Sequence, residues 1–221
     1  MVAIYEKGAP PLTARIPGLI DLPLDPPVRE EGCRMLDLAP LTNTNPLTAP
    51  FGVEHPGKFI FAGLPLGVQT VGGVPFRLID PDANGGRGFI VLHSDRAPTN
   101  RKWPRKVDIP VNTTARNLFF LGNVHGWAPS DPGTGPLGAV AEYVIYYADG
   151  QILSVPLIAN KTIEEWTAAP TASDVFCGLR GEPWHLNVLG VALRPVQVTR
   201  IVFRDLGTPA APVLVAVTLA K

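Results

Sequence analysis

Short apolar runs separated by turn residues dominate the chain from residue 74 onward. The runs are rich in β-branched and aromatic residues, a pattern typical of a β-sandwich or barrel. No solenoid or propeller repeat accompanies them, so we predict a two-sheet antiparallel β-sandwich with less than about 10% helix. The nine runs span residues 74–79, 88–93, 107–111, 115–124, 139–148, 151–158, 186–193, 198–206 and 213–220.

The sequences of two short segments predict a specific local structure. Asp149-Gly150 lies between two β-rich runs and predicts a hairpin with a type I′ turn, which requires positive φ values. Residues 162–167 (TIEEWT) resemble a short helix, because Thr162 can cap it and the two glutamates suit the positive end of its dipole. We expect one or two helical turns there, with Trp166 in the core.

The first 60 residues differ from the rest, because they are dense in proline and show no sustained periodicity. Proline removes a backbone donor and is confined to sheet edges and turns, so extended structure is predicted. We divide the chain into a proline-rich N-terminal arm, residues 1–60, and a β-sandwich domain, residues 61–221. The arm is expected to wrap over the core or to reach another subunit, which would give a homo-oligomer.

Composition and charge restrict the partners. Apolar residues make up 46% of the chain and charged residues 17%, which predicts a folded interior. Nineteen basic residues balance nineteen acidic ones, so nucleic acid and anionic membranes are not expected partners. The sequence shows neither a membrane span nor a signal peptide. We expect a soluble protein, extracellular or on the cell surface.

The two cysteines, Cys33 and Cys177, are far apart in sequence and belong to no metal-binding motif. We favour two unpaired, buried thiols over a disulfide, because free cysteine is often buried. The cysteines therefore fit either a reducing or an oxidising environment.

Several stretches resemble the galactose-binding-like jelly-roll modules found beside bacterial glycoside hydrolases. The most specific parts are the Gly-x-Gln-x-x-x-Gly-Val-Pro-Phe block at residues 67–76 with the Ile-Asp-Pro that follows, and the hairpin at 147–150. The resemblance runs from about residue 63 to the end, and it implies a jelly-roll sandwich that supports carbohydrate recognition as an accessory to an enzyme. This sequence differs from such modules in two ways, since we expect no catalytic domain within its 221 residues and the proline-rich arm has no counterpart in the family.

Motifs for catalysis are missing from the sequence. A glycosidase needs two carboxylates in one cleft, whereas the aspartates mostly fall at turns or strand ends. No Gly-x-Ser-x-Gly elbow occurs, and the histidines are scattered singly. We therefore expect a protein that is not an enzyme and requires no cofactor.

One segment matches the opening of a calcium-binding loop. Asp80, Asp82 and Asn84 place oxygen donors at alternate positions, as a structural calcium ion would need. The closing glutamate is missing, since Val91 stands there. A plain β-turn is the favoured interpretation, with calcium as the alternative.

Two stretches combine tryptophan with polar side chains, as sugar sites do. They follow predicted strands, and loops at the end of a sandwich commonly display binding groups. The alternative is that Trp127 and Trp184 cap the core while their indole N–H groups bond to the backbone. The candidate ligand-binding residues are Asn123, His125, Trp127, Arg180, Trp184 and His185.

The sequence thus predicts a non-catalytic carbohydrate-binding or accessory module. The alternative is a structural or assembly protein that oligomerises through residues 1–60, by strand addition or by wrapping.

Overall fold

The computed structural model describes residues 18–48, 51, 60–95, 102–125 and 138–221. Of these residues, 48% lie in strands and 5% in helical turns. The predictions of an all-β protein and of less than about 10% helix are confirmed. Within the described residues, no helix is long and apolar enough to cross a membrane.

The strands agree with the sequence pattern, because all nine predicted runs fall on strands. The pattern does not predict β1, β2 or β9. The strands are β1 (Cys33–Met35), β2 (Gly67–Val71), β3 (Val74–Leu78), β4 (Ile90–Val91), β5 (Lys106–Thr113), β6 (Asn117–His125), β7 (Ala139–Tyr147), β8 (Ile152–Ile158), β9 (Phe176–Arg180), β10 (His185–Ala192), β11 (Val198–Asp205) and β12 (Ala211–Ala220). Short 3-10 turns cover Glu30–Gly32, Ala39–Leu41 and Asp82–Asn84.

The strands form two main sheets and a separate hairpin. The six-stranded sheet has the order β1-β12-β6-β10-β9, with β4 also paired to β12, and the four-stranded sheet has the order β5-β11-β7-β8. Strand partners are nested along the chain: β7 pairs with β8, β6 with β10, β5 with β11 and β1 with β12. Successive pairs alternate between the sheets. The fold is therefore sandwich-like and antiparallel, as predicted.

The six-stranded sheet is buried on both faces. On one face, Phe120 stacks on Tyr143 of the four-stranded sheet, with 3.7 Å between ring centroids. On the other face, Phe119 belongs to a second cluster that includes Val71 and Phe76 of the β2–β3 hairpin. All ten residues of β12 are buried. The hairpin thus adds a third layer to the two sheets.

The described part of the N-terminal arm packs on the body of the same chain. Strand β1 pairs with β12, and the side chains of Leu36 and Leu38 are buried in the core between the sheets. Closer to the N-terminus, the Leu24 N–H donates to the Gly72 carbonyl at 2.9 Å. Residues 1–17, 49–50 and 52–59 of the arm lie outside the described residues, so oligomerisation through the arm stays a prediction.

The β7–β8 hairpin is confirmed, but its turn differs from the predicted one. Gly150 has a φ of +82°, whereas Asp149 is not among the described residues with positive φ. The Gly150 N–H donates to the Tyr147 carbonyl at 3.1 Å. A three-residue connection with glycine in the left-handed region replaces the type I′ turn, so only Gly150 needs an unusual backbone conformation.

The predicted helix at residues 162–167 is wrong. Ile163 and Glu165 form β-bridges with Ala159 and Val124, and the Trp166 N–H donates to the Val124 carbonyl at 3.0 Å. These bonds to neighbouring strands replace those a helix would form within itself. Trp166 is nevertheless a core residue, as predicted, with 1% of its surface exposed.

Both cysteines are free, which confirms the preference for unpaired thiols. They are half-buried rather than buried. Burial, with the nearby Glu30 and Glu31 carboxylates, raises the pKa of the Cys33 thiol and keeps it protonated.

Candidate functional site

The described residues of the two stretches predicted to bind sugar lie at one end of the six-stranded sheet. Strand β6 ends at His125 and its antiparallel neighbour β10 begins at His185. The Asn123 side-chain amide donates to the His185 carbonyl at 2.9 Å. The structure therefore brings these candidates together, while Trp127 lies outside the described residues.

Buried polar side chains meet at this end of the sheet. Glu164 Oε2 lies 3.3 Å from His185 Nε2 and accepts a hydrogen bond from the Asn187 amide at 3.1 Å. Burial lowers the pKa of His185 below its ordinary value, against the opposing effect of Glu164. A neutral His185 with its proton on Nε2 donates to the carboxylate. We call this group the Glu164 cluster; its members are Asn123, Glu164, His185 and Asn187, each at most 4% exposed.

The other oxygen of Glu164 fixes a loop. Oε1 accepts hydrogen bonds from the Thr171 hydroxyl at 3.2 Å and from the Ala172 N–H at 3.0 Å, and also from the Thr171 N–H. A buried carboxylate with several donors is strongly held, and removing it would leave those donors without an acceptor. Glu164 therefore anchors the loop before β9 to the sheet.

His125 supports the aromatic core beside the Glu164 cluster. Its Nδ1 accepts a hydrogen bond from the Trp166 indole at 2.8 Å, and its ring stacks on Phe51 with 3.7 Å between centroids. Burial lowers the pKa of His125 to about 3. The ring is therefore neutral near pH 7, and its free nitrogen lone pair serves the Trp166 N–H.

Trp184 caps the core, which is the alternative that the sequence left open for it. Only 2% of its surface is exposed, and its indole N–H donates to the Ala62 carbonyl at 2.8 Å. The ring lies close to Gly181, where an added Cβ would come within 2.3 Å of Cε2. In this conformation Trp184 has no exposed face for a sugar to stack on.

Arg180 is the exposed member of the predicted set among the residues described. It stands opposite His185 at the end of β9, and its Nε donates to Cys177 Sγ at 3.1 Å. Asn123, Trp184 and His185 are closed off from solvent. Sugar binding by the six candidates stays a prediction, and the burial of Asn123, Trp184 and His185 directs attention to a more open surface.

The segment proposed for calcium folds as a turn. Asp80 Oδ1 accepts the Asp82 N–H at 2.9 Å, and Gly85 closes the 3-10 turn with a φ of +61°. The Asn84 amide nitrogen donates to three acceptors, including the Thr42 hydroxyl at 2.8 Å. Across the described ranges, no group of three or more His, Cys, Asp or Glu residues is placed to hold a metal ion. Calcium binding there stays a prediction.

An open groove of about 430 Å³ runs beside this turn. Strands β2 and β3 supply one side, and the 3-10 turns at 39–41 and 82–84 supply the other. The volume falls within the range of about 300–1,000 Å³ that is typical of ligand sites. The groove combines an apolar floor with two carboxylates, one guanidinium and one amide; the residues concerned are Asp37, Val68, Arg77, Ile79, Asp80 and Asn84.

Sequence reasoning missed two of the groove's polar residues. Arg77 follows directly after the 67–76 block that carries the jelly-roll resemblance, so its position was a usable signal. Asp37 comes from the N-terminal arm, which is held beside the groove by the pairing of β1 with β12 and by the hydrogen bonds from the Asn84 amide to Ala39 and Thr42. No local pattern connects Asp37 to Asp80.

Comparisons with protein-family models, with curated proteins and with solved structures each find no match. The functional argument therefore rests on the geometry of this chain.

Proposed function

We propose that this protein is a non-catalytic carbohydrate-binding or accessory module of jelly-roll type, and that the groove is its sugar site. The nested strand pairing supports the jelly-roll assignment, because a long hairpin rolled into two facing sheets gives this order. The jelly-roll resemblance of residues 67–76 supports it as well, since Gly67 and Val68 of this block line the groove.

The observation that carries the proposal is the composition of the groove. Sugars present C–H surfaces that pack on apolar side chains, and hydroxyl groups that bond to carboxylates, amides and guanidinium groups. Val68 and Ile79 provide the apolar part, and Val68 is 42% exposed. Asp37, Arg77 and Asp80 are exposed and provide the polar part.

The test is a glycan array followed by calorimetric titration of the best binder. Arg77→Ala is expected to weaken binding about tenfold, because one charge-assisted hydrogen bond contributes about 1.5 kcal/mol. Arg116→Ala is the matched control, since Arg116 is exposed and does not line the groove. Its affinity should equal that of the parent.

Two results would contradict the proposal. One is the absence of binding to every glycan on the array. The other is equal loss of affinity in the Arg77 and Arg116 variants, which would place the sugar elsewhere. A glycan-free protein that elutes as an oligomer and becomes monomeric on removal of residues 1–17 would favour the assembly role instead.

A further inference from the structure

The groove's carboxylates are held in fixed orientations by their own backbone. Asp37 Oδ1 accepts the Ala39 N–H at 3.0 Å, and Asp80 Oδ1 accepts the Asp82 N–H at 2.9 Å. Within the described part of the chain, neither carboxylate forms an ion pair or a second hydrogen bond. One oxygen of each is committed to its turn, and the other is left for a ligand.

Asn84 adds a third acceptor. Its amide nitrogen is surrounded by the Ala39 carbonyl at 3.1 Å, the Thr42 hydroxyl at 2.8 Å and the Arg87 carbonyl at 2.8 Å. Because the nitrogen is committed to these acceptors, the side-chain oxygen is the atom left over. Arg77 is the one side-chain cation among the groove's described lining residues.

We infer that the groove selects uncharged glycans and rejects glycans that carry carboxylate or sulfate groups. The inference rests on the proposed function and names the ligand class of the same site. Its basis is the excess of uncommitted acceptors, on Asp37, Asp80 and Asn84, over the single donor group of Arg77.

The selectivity follows from hydrogen bonding and charge. A neutral sugar offers a donor on every hydroxyl, and these donors match the three acceptors. A uronate or sulfate replaces donors with anionic acceptors, which face two carboxylates and one guanidinium. The two carboxylates outnumber the guanidinium by one negative charge, and this excess together with the lost donors gives a discrimination on the order of tenfold at low salt.

The experiment compares ligands that differ only in charge. Methyl-esterified and de-esterified oligogalacturonates share one backbone, and so do unsulfated and sulfated agaro-oligosaccharides. For each pair in which binding is detected, we expect the neutral member to bind about tenfold more tightly than the charged member at low ionic strength. This difference in affinity should narrow as salt is added. Titrations in the presence of a chelator keep contaminating divalent cations from bridging an anionic sugar to the carboxylates.

Two variants test the cause. Asp37→Asn and Asp80→Asn keep the oxygen that caps each turn and remove only the charge, so their melting temperatures should match that of the parent. In the double variant Arg77 is the remaining charged side chain among the groove's described lining residues, so the preference for the neutral member should be lost or reversed. Asp108→Asn is the control, because Asp108 is exposed on β5 and pairs with Arg200 outside the groove.

The outcomes separate this inference from the proposed function. Equal or tighter binding of the charged member, or an unchanged preference in the double variant, overturns the selectivity and leaves carbohydrate binding intact. No binding of any neutral or acidic glycan overturns both.

Discussion

The Glu164 cluster and the groove use similar side chains but differ in access to solvent. In the cluster, Glu164 and Asn123 are 1% and 0% exposed, and their hydrogen-bond partners belong to the protein. In the groove, Asp37 and Asp80 are exposed and each keeps an oxygen for a ligand. The same chemistry secures the fold in one region and is available to bind in the other. Residue type does not distinguish a core that contains polar side chains from a sugar-binding site. The solvent exposure of those side chains does.

The largest effect is expected from Trp166→Ala beside the Glu164 cluster. The ring packs against Phe51 and Phe61 and donates to His125, so its removal leaves a cavity and breaks this hydrogen bond. The free energy of unfolding should fall by about 3–5 kcal/mol, measured by denaturant titration. Sugar affinity of the folded fraction should not change, because Trp166 does not line the groove. A loss below about 1 kcal/mol would mean that this region is not the packed core described here.

Acid should destabilise the same region by a somewhat smaller amount. Burial lowers the pKa of His125 from 6.5 to about 3 in the folded protein. Between these values the unfolded chain binds a proton that the folded chain does not, so stability is fully present above pH 6.5 and falls as the pH decreases. Lowering the pH to about 4.5 should cost about 3 kcal/mol through this residue.

His125→Asn isolates that contribution. Asparagine can offer an oxygen near the position of Nδ1 to the Trp166 N–H, and it does not titrate. Burial lowers the pKa of His185 as well, so the variant should keep part of the acid sensitivity, and the difference between the two stability–pH curves belongs to His125. Parallel curves for parent and variant would show that His125 does not resist protonation in the fold.

The sequence predicts every strand of the four-stranded sheet but misses β1 and β9, the two edge strands of the six-stranded sheet, and also β2. Long β-branched runs such as 139–148 and 213–220 became strands because their side chains are buried by neighbouring strands. Strands β1 and β9 are short and contain cysteine, arginine or glycine, and they form only because a longer strand, β12 or β10, offers a partner. Tertiary contacts also explain why the helix predicted for the TIEEWT segment does not form, since its hydrogen bonds to β6 outweigh its local helical features.

The candidate site was predictable only in part. The sugar-site hypothesis required the two stretches to be adjacent, and the structure places His125 and His185 at the same end of the sheet. Their burial could not be read from residue types, because tryptophan and histidine serve equally in cores and in binding sites. The groove depends on Asp37 meeting Asp80 across the fold, and such a pairing has no signature in the sequence.

The smallest change in stability, and the sharpest contrast with the cluster, is expected from the apolar floor of the groove. Val68 is 42% exposed, so Val68→Ala leaves no cavity and should change the free energy of unfolding by less than about 0.5 kcal/mol. A bound sugar would cover this side chain, and losing its methyl groups should weaken glycan binding about two- to fivefold. Ile152→Ala is the matched control, because Ile152 is 55% exposed on β8 and does not line the groove. Thermal melts measure the stability of both variants, and glycan titrations measure their affinity for sugar. If Val68→Ala binds as tightly as the Ile152 control, the groove does not contact sugar through its floor; if it melts far below the parent, Val68 belongs to the core and the contrast between the two regions fails.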